Sequence, residues 1–199
     1  MTPSAPPPME RGRLRSDARR NAEQIRQAAL DVFRAGGLGS PLDEVARKAG
    51  VSKGTIYHRF GGRQGLIDAV VEDLVAERID GILATVARVD DPGDAFEAYL
   101  HLLWMLQYDE PAANDVLLRT HPGSPQLAAL CERANAFGER LLVAAQASGA
   151  VRADLTPEDM SHLIRERGVV ARAYATQPRP AYERRLSYAL HGLRAVERP

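Results

Sequence analysis

The sequence predicts an all-α protein of about nine helices, in which a short three-helix head precedes a larger helical body. Apolar residues recur along most of the chain at the three- and four-residue spacing of amphipathic helices. Prolines fall between these apolar patterns and mark where helices begin or end. No stretch alternates apolar and polar residues over the length of a strand, so we expect no β-sheet.

The composition is typical of a folded protein, since 45% of the 199 residues are hydrophobic and 26% are charged. The longest informative apolar run, residues 100–106, is interrupted by His101 and is much shorter than the roughly 18–20 residues of a membrane span. The single cysteine, Cys131, excludes an internal disulfide framework and fits a reducing compartment. The amino terminus lacks the apolar stretch of a secretory signal. We therefore expect a cytoplasmic protein with no membrane partner.

The zero net charge conceals an asymmetry between the two ends of the chain. Residues 1–63 carry 12 Lys and Arg against 6 Asp and Glu, a balance of +6, whereas residues 64–199 carry 14 against 20, a balance of −6. A basic end on an acidic body is typical of a protein whose basic end meets a polyanion, although chance segregation explains the charges equally well.

Residues 1–16 are predicted to form a disordered arm, because they are rich in proline and small residues and offer little apolar surface to bury. Three prolines, Pro6 to Pro8, oppose a helix there. The arginines of this segment either contact phosphates or a minor groove, as basic arms do in some DNA-binding proteins, or are simply solvated. These arginines are Arg11, Arg13 and Arg15.

Three short helices are predicted within residues 17–63. The first is expected from Asp17 to residue 35, where two glycines follow its apolar stripe. The second is expected to begin at Pro41 with Ser40 as its N-cap. Ser52 is expected to cap the third, over residues 53–59.

Two short helices joined by a tight, glycine-containing turn form the helix-turn-helix pattern. A two-turn helix is unstable alone in water, so Ile56 and Phe60, one turn apart on one face, are expected to anchor the third helix. The remaining positions then point outward and offer groups suited to phosphates and base edges. They are Lys53, Gly54, Thr55, Tyr57 and His58. The glycine among them fits either a close approach to DNA or the geometry of a helix start.

The stretch LDEVARKAGVSKGTIYHRFGGRQGLIDAV, residues 42–70, resembles the DNA-binding signature of the tetracycline-repressor (TetR) family. The resemblance is strongest over residues 20–75 and depends on positions that agree in both residue type and spacing. Those positions are Val45, Ala46, residues 49–57, Phe60, Arg63 and Leu66.

The resemblance implies that the third helix is a recognition helix lying in a major groove of DNA. Its first residues would contact base edges and nearby phosphates, and its last residues the DNA backbone. Pro41 stands where the family often has threonine, so Ser40 is expected to take over the capping there. Gly65 replaces a better helix former and is expected to loosen the first turn of the fourth helix. The implied DNA-binding residues are Ser40, Ser52, Lys53, Gly54, Thr55, Tyr57, His58 and Arg63.

The body, residues 64–199, is implied to be a ligand-binding and dimerisation domain. A fourth helix over residues 63–89 would connect it to the head and act as the lever for signalling. Thr156, Pro157 and Asp159 predict a capped helix start. The further helices are predicted over residues 93–108, 111–120, 125–148, 156–174 and 180–195.

The resemblance implies a cavity for a small-molecule inducer between two body helices, with plain core packing as the alternative. Its expected lining is Tyr99, Leu103, Trp104, Tyr108, Cys131 and Phe137. It also implies a homodimer in which the last two helices form a four-helix bundle with a second copy. The expected interface residues are Leu163, Gly168, Val169, Leu186, Leu190 and Leu193.

The implied function is a transcriptional repressor that a ligand releases from a palindromic, double-stranded DNA operator. Two heads about 34–36 Å apart would grip such a site, and a change in their spacing would end the binding.

An enzyme and a ligand-free interaction protein are the alternatives to this function. Cys131 has no histidine near it in sequence and is expected to pack as a small hydrophobe. His162 and Glu166 are four residues apart, but two side chains make an incomplete metal site, and an ion pair is expected instead. No phosphate-binding or dinucleotide-binding glycine loop occurs. We therefore expect no catalytic residue, no metal and no cofactor.

Overall fold

The computed structural model describes residues 8–118 and 124–195, and these are helical almost throughout. The α-helices of this part of the chain are α1 (Pro8–Gly36), α2 (Leu42–Ala49), α3 (Lys53–Phe60), α4 (Arg63–Val71), α5 (Glu77–Val86), α6 (Pro92–Asp109), α7 (Pro111–Leu117), α8 (Pro125–Ala147), α9 (Pro157–Ala173) and α10 (Arg179–Leu193). A π-helical turn, Glu72–Ala76, joins α4 to α5. The helix predicted over residues 63–89 is therefore one continuous helical run that ends at Val86. No strand occurs in these two ranges. The predicted all-α class is confirmed.

Helix α1 begins earlier than the sequence predicted. The prediction of a disordered arm is wrong for residues 8–16, because α1 starts at Pro8 rather than near Asp17. Proline is tolerated at the first position of a helix, where its missing N–H needs no partner, and no other proline follows within α1. Outside the described part of the chain are residues 1–7 and the side chains of Arg11, Arg13 and Arg15.

The predicted cap of α2 is wrong. Pro41 occupies the N-cap position with an extended backbone, and no side chain bonds there. The Ser40 N–H instead bonds to the carbonyl of Gly37 at 3.2 Å, which closes the turn one residue earlier. Ser40 is therefore buried in the turn between α1 and α2.

Two glycines shape the junction between α3 and α4. Gly62 has a φ of +100°, and a Cβ there would lie 2.9 Å from the ring of Tyr57. A Cβ on Gly65 would overlap the carbonyl oxygen of Phe60. Glycine therefore permits a backbone approach that a larger residue would block, and the looser first turn expected of Gly65 stays a prediction.

Helix α6 lies at the centre of the body and packs against α5, α7, α8, α9 and α10. Its large aromatic side chains, Phe96, Tyr99 and Trp104, are almost completely buried. The predicted capping box of α9 is confirmed, because Thr156 and Asp159 each bond to the backbone of the other. No helix in the described part of the chain is long and apolar enough to span a lipid bilayer.

Candidate nucleic-acid interface

Helix α3 is short and is fixed by residues at both of its ends. The Ser52 hydroxyl accepts the Thr55 N–H at 3.2 Å, as the sequence predicted for this cap. Gly61 ends the helix with a φ of 73°. Ile56 is fully buried and Phe60 packs against the same core, so the two predicted anchors hold one side of the helix.

The other side of α3 faces solvent, as predicted. Lys53, Gly54, Tyr57 and His58 are exposed, and Thr55 is half-buried. The Tyr57 side chain is 54% exposed although its ring is largely apolar. This face therefore presents a cation, an imidazole and hydroxyl groups side by side, which suits phosphates and base edges.

The polar groups at the start of α3 are held by weak contacts. Lys53 Nζ lies 2.9 Å from Asp43 Oδ2 in an exposed ion pair, and such pairs contribute only about 0–1 kcal/mol. Thr55 Oγ1 lies 2.9 Å from Ser52 Oγ. A Cβ on Gly54 would meet only that Ser52 hydroxyl, at 3.6 Å, so packing does not require glycine there. A DNA phosphate can therefore replace Asp43 at little cost, and a close approach at Gly54 stays a prediction.

Two exposed cations of the helix-turn-helix segment were missed by the sequence analysis. Arg47 lies in the last turn of α2, and Arg59 lies in the last turn of α3. The signal for Arg59 was available, because it is a cation within the third helix that the resemblance assigned to DNA binding. Both add positive charge to this segment.

Two of the implied DNA-binding residues are engaged within the chain. Arg63 Nη1 donates to the carbonyl of Leu38 at 2.7 Å, which clamps the turn before α2. Ser40 is only 7% exposed and therefore offers little surface to a DNA phosphate. A phosphate contact by the remaining N–H groups of Arg63 stays a prediction.

The residues expected to line a ligand cavity do not share one space. Tyr99, Leu103 and Cys131 border a cavity of about 20 Å³ between α6, α8 and α9. That volume fits about one water molecule. The Tyr99 hydroxyl donates to the carbonyl of Ala134 at 2.8 Å, and burial raises the pKa of Tyr99 far above its usual range.

The other three expected lining residues pack elsewhere in the core. The Trp104 ring lies 5.7 Å from the guanidinium of Arg167. Tyr108 stacks on Tyr182 with a centroid separation of 4.6 Å. The ring centroid of Phe137 lies 5.9 Å from that of Tyr99 on α6. The core-packing alternative therefore describes these three side chains better than a pocket wall does.

Three of the expected interface residues lie inside the protomer, contrary to the prediction. Leu186 and Leu190 are buried in the contact of α10 with the body. Gly168 is also buried, and a Cβ there would overlap Asn114 Oδ1 and Gln107 Nε2. The backbone approach that Gly168 permits is therefore to its own chain.

Three large side chains remain exposed on α9, at its C-cap and on α10. Val169 is 58% exposed, and two large side chains that the prediction did not include, Tyr174 and Tyr188, are 63% and 66% exposed. Leu163 and Leu193 are half-buried. We call Val169, Tyr174 and Tyr188 the exposed α9–α10 face.

The described residues also bear on the metal-site and nucleophile alternatives. They contain no group of three or more His, Cys, Asp or Glu side chains able to hold a metal ion. His162 Nε2 lies 3.7 Å from Glu158 Oε1, so the predicted pairing with Glu166 is wrong. Cys131 is buried with its Sγ 3.5 Å from the carbonyl oxygen of Val116, as expected of a packed side chain.

Comparison with known families covers most of the chain. The family model "bacterial regulatory proteins, tetR family" matches residues 25–70, from the middle of α1 to α4. The model "transcriptional regulator SbtR-like, C-terminal domain" matches residues 91–195, which is more than half of the chain.

Curated relatives match about a third of this chain by sequence, whereas solved structures share its fold over most of its length. The HTH-type transcriptional regulatory protein RaaS of Mycobacterium tuberculosis is 39% identical over 69 residues, which are 35% of this chain and 32% of that protein. The chain spans about a third of the length of the curated relatives it matches. The structure of the TetR transcriptional regulator SCO0520 from Streptomyces coelicolor is 29% identical, with a TM-score of 0.52 over 87% of this chain and 98% of that one. FadR of Bacillus subtilis, solved in complex with stearoyl-CoA, shares the fold at 16% identity and a TM-score of 0.61, over 85% and 96% of the two chains.

Proposed function

Because the chain belongs to the TetR family of bacterial transcriptional regulators, we propose that it is a dimeric repressor released from a palindromic operator by a small molecule. We assign operator binding to residues 17–63 and ligand binding and dimerisation to residues 64–199. Such a regulator acts on the chromosome, in the cytoplasm, and needs neither catalytic residues nor a cofactor.

The exposed face of α3 is the observation that carries this proposal. Tyr57 is more than half exposed beside the exposed side chains of Lys53 and His58, so a cation, a phenol and an imidazole are available together to a partner. On DNA, these side chains would donate hydrogen bonds to phosphates, and Thr55 and Gly54 would approach base edges. The neighbouring cations Arg47 and Arg59 lie at helix ends where they would add backbone contacts.

Dimerisation through the exposed α9–α10 face supplies the second recognition helix. One short helix contacts only a few base pairs, and each good bidentate contact discriminates by about 1–3 kcal/mol. Two heads on a palindrome roughly double that discrimination. The large exposed side chains Val169, Tyr174 and Tyr188 support an interface there, because apolar surface of this kind is costly to leave in water.

A ligand site in the body core is supported by two buried polar atoms. Among the described residues, Trp104 Nε1 and Gln107 Oε1 are buried without a hydrogen-bond partner. They lie one turn apart on α6, and the cavity beside Tyr99 borders the same helix. A ligand that enlarges this cavity would have to separate α6, α8 and α9. The fold that FadR shares accommodates a large ligand in that relative.

An electrophoretic mobility shift with the DNA flanking the gene, at a stated salt concentration, tests the proposal. Wild-type protein is expected to bind one fragment specifically, and Lys53→Ala and Tyr57→Ala should each weaken that binding about tenfold, since each loses a charged or phenolic contact. Arg140→Ala removes an exposed cation from α8 and is the matched control, with unchanged binding. Equal loss in all three variants, or no specific fragment at all, would contradict the proposal.

A further inference from the structure

A buried carboxylate in the body touches the DNA-binding head. Asp115 lies in α7, and its side chain is only 3% exposed. Burying a charged carboxylate is costly unless hydrogen bonds and a cation compensate it. The partners of Asp115 therefore indicate what this residue does.

The two oxygens of Asp115 face different parts of the molecule. Oδ2 accepts the backbone N–H of Leu38, in the turn between α1 and α2, at 2.7 Å. Oδ1 accepts a hydrogen bond from Arg172 Nη2, near the end of α9. One side chain thus joins the head to a helix of the exposed α9–α10 face.

The turn that Asp115 holds is fixed from both sides. The carbonyl of Leu38 accepts from Arg63 Nη1 at 2.7 Å, so the same residue is held through its N–H and its C=O. Gly37 has a φ of +82°, and a Cβ there would overlap Asp115 Oδ2. Glycine is therefore needed for the carboxylate to approach. Because α2 begins a few residues later, the position of this turn sets where α2 and α3 lie relative to α4.

The contact of α7 with α9 involves a second side chain. Asn114 Nδ2 donates to the carbonyl of Gly168 at 3.0 Å. Gly168 and Arg172 are one turn apart on α9, and Asn114 and Asp115 are adjacent on α7. The two helices are therefore joined over one helical turn.

We propose that Asp115 is a positioning residue through which α9 sets the position of the DNA-binding head. Displacement of α9 that draws Arg172 away weakens the compensation of the buried carboxylate and removes a contact that orients it toward the Leu38 N–H. The inference deepens the proposed function and rests on it for the claim that the position of the head affects DNA binding. The coupling of α9 to the head through Asp115 is testable without DNA.

The test compares Arg172→Met with Arg194→Met in the full chain. Arg194 is 54% exposed and pairs with Glu97 at 2.9 Å, whereas Arg172 is 52% exposed, so the two arginines are matched in exposure. We expect Arg172→Met to speed amide hydrogen exchange in residues 36–40 at least tenfold, and Arg194→Met to leave it unchanged. Circular dichroism establishes that each variant is folded.

The double variant Asp115→Asn with Arg172→Met separates positioning from bulk stability. Its neutral amide oxygen accepts the Leu38 N–H without needing a cation, so exchange in residues 36–40 should return to within about threefold of wild type. Affinity for an operator duplex should fall at least tenfold in Arg172→Met and recover in the double variant. If Arg172→Met does not fold, amide exchange in residues 36–40 of the double variant is compared with that of wild type, by the same threefold criterion.

The inference is overturned if Arg172→Met leaves exchange in the turn unchanged, or if the double variant fails to restore it. If the exchange results hold but wild-type protein binds no DNA, the proposed function fails and the link between α9 and the head stands. If DNA binding is confirmed but the exchange results fail, the proposed function stands and the link does not.

Discussion

Tyr57 shows at the scale of one residue how packing and recognition share a side chain. Its ring covers Gly62, where a Cβ would come within 2.9 Å, yet 54% of the side chain stays exposed. Helical spacing was enough to predict that Tyr57 points outward. It could not show that Ser40 and Arg63 turn inward, because their partners lie in a turn whose path depends on tertiary packing.

Tyr57→Phe should weaken binding to specific and random DNA alike, by about fivefold. The ring and its packing on Gly62 remain, so only one hydrogen bond to the backbone of DNA is lost, worth about 1 kcal/mol. Titration of both duplexes at one salt concentration, together with the melting temperature, measures this. A loss confined to specific DNA would assign Tyr57 to base recognition instead.

Gly65→Ala should destabilise the head by about 1–3 kcal/mol, because the new Cβ overlaps the carbonyl of Phe60. Gly81→Ala is the matched control, since nothing lies within 4 Å of a Cβ there. That substitution should stabilise α5 by up to about 1 kcal/mol. Urea unfolding checks that the two substitutions change the free energy of unfolding in opposite directions. Stabilisation by both would contradict the close approach of Gly65 to the carbonyl of Phe60.

At the scale of the element, helix ends were more predictable than helix faces. Prolines and caps act locally, which is why the starts of α8 and α9 agree with the sequence to within a residue. The π-helical turn Glu72–Ala76 has no such local signal. Neighbouring residues on α9 also divide between core and surface, since Gly168 is buried and Val169 is exposed. Residue type alone could not tell which of the two would face a second copy.

The N-caps of α3 and α9 allow an element-level prediction. Ser52→Ala and Thr156→Ala should each cost about 1 kcal/mol of stability, because each leaves a backbone N–H without its side-chain acceptor. Only Ser52→Ala should also weaken DNA binding, since α3 is the proposed recognition helix and α9 is not. Thermal unfolding and operator titration of the two variants check this. Equal DNA affinities of Ser52→Ala and Thr156→Ala would contradict the assignment of α3 as the recognition helix.

At the scale of the whole molecule, the charge asymmetry matches the proposed separation of DNA binding from ligand binding. The basic excess lies in residues 1–63, which include α3, and the acidic excess lies in residues 64–199. This arrangement would direct a DNA duplex toward the heads of a dimer. Dimer geometry depends on surfaces of two copies, which the sequence of one chain specifies only in part.

Tyr188→Glu should convert the dimer to a monomer and abolish specific DNA binding, because it places a charge in the exposed α9–α10 face. Val143→Glu is the control, since Val143 is 64% exposed on α8. Light scattering gives the mass of each variant. A Tyr188→Glu variant that stays dimeric would move the interface away from α10.

Selection of bound duplexes from a random DNA library by the wild-type protein tests the central claim most directly. Two copies of α3 presented by one dimer predict an inverted repeat whose half-site centres lie about 34–36 Å apart, or a multiple of that distance. The enrichment of an inverted repeat should disappear with Tyr188→Glu, which is expected to be monomeric. Enrichment of a sequence without two-fold symmetry, or the same inverted repeat selected by Tyr188→Glu, would contradict the account.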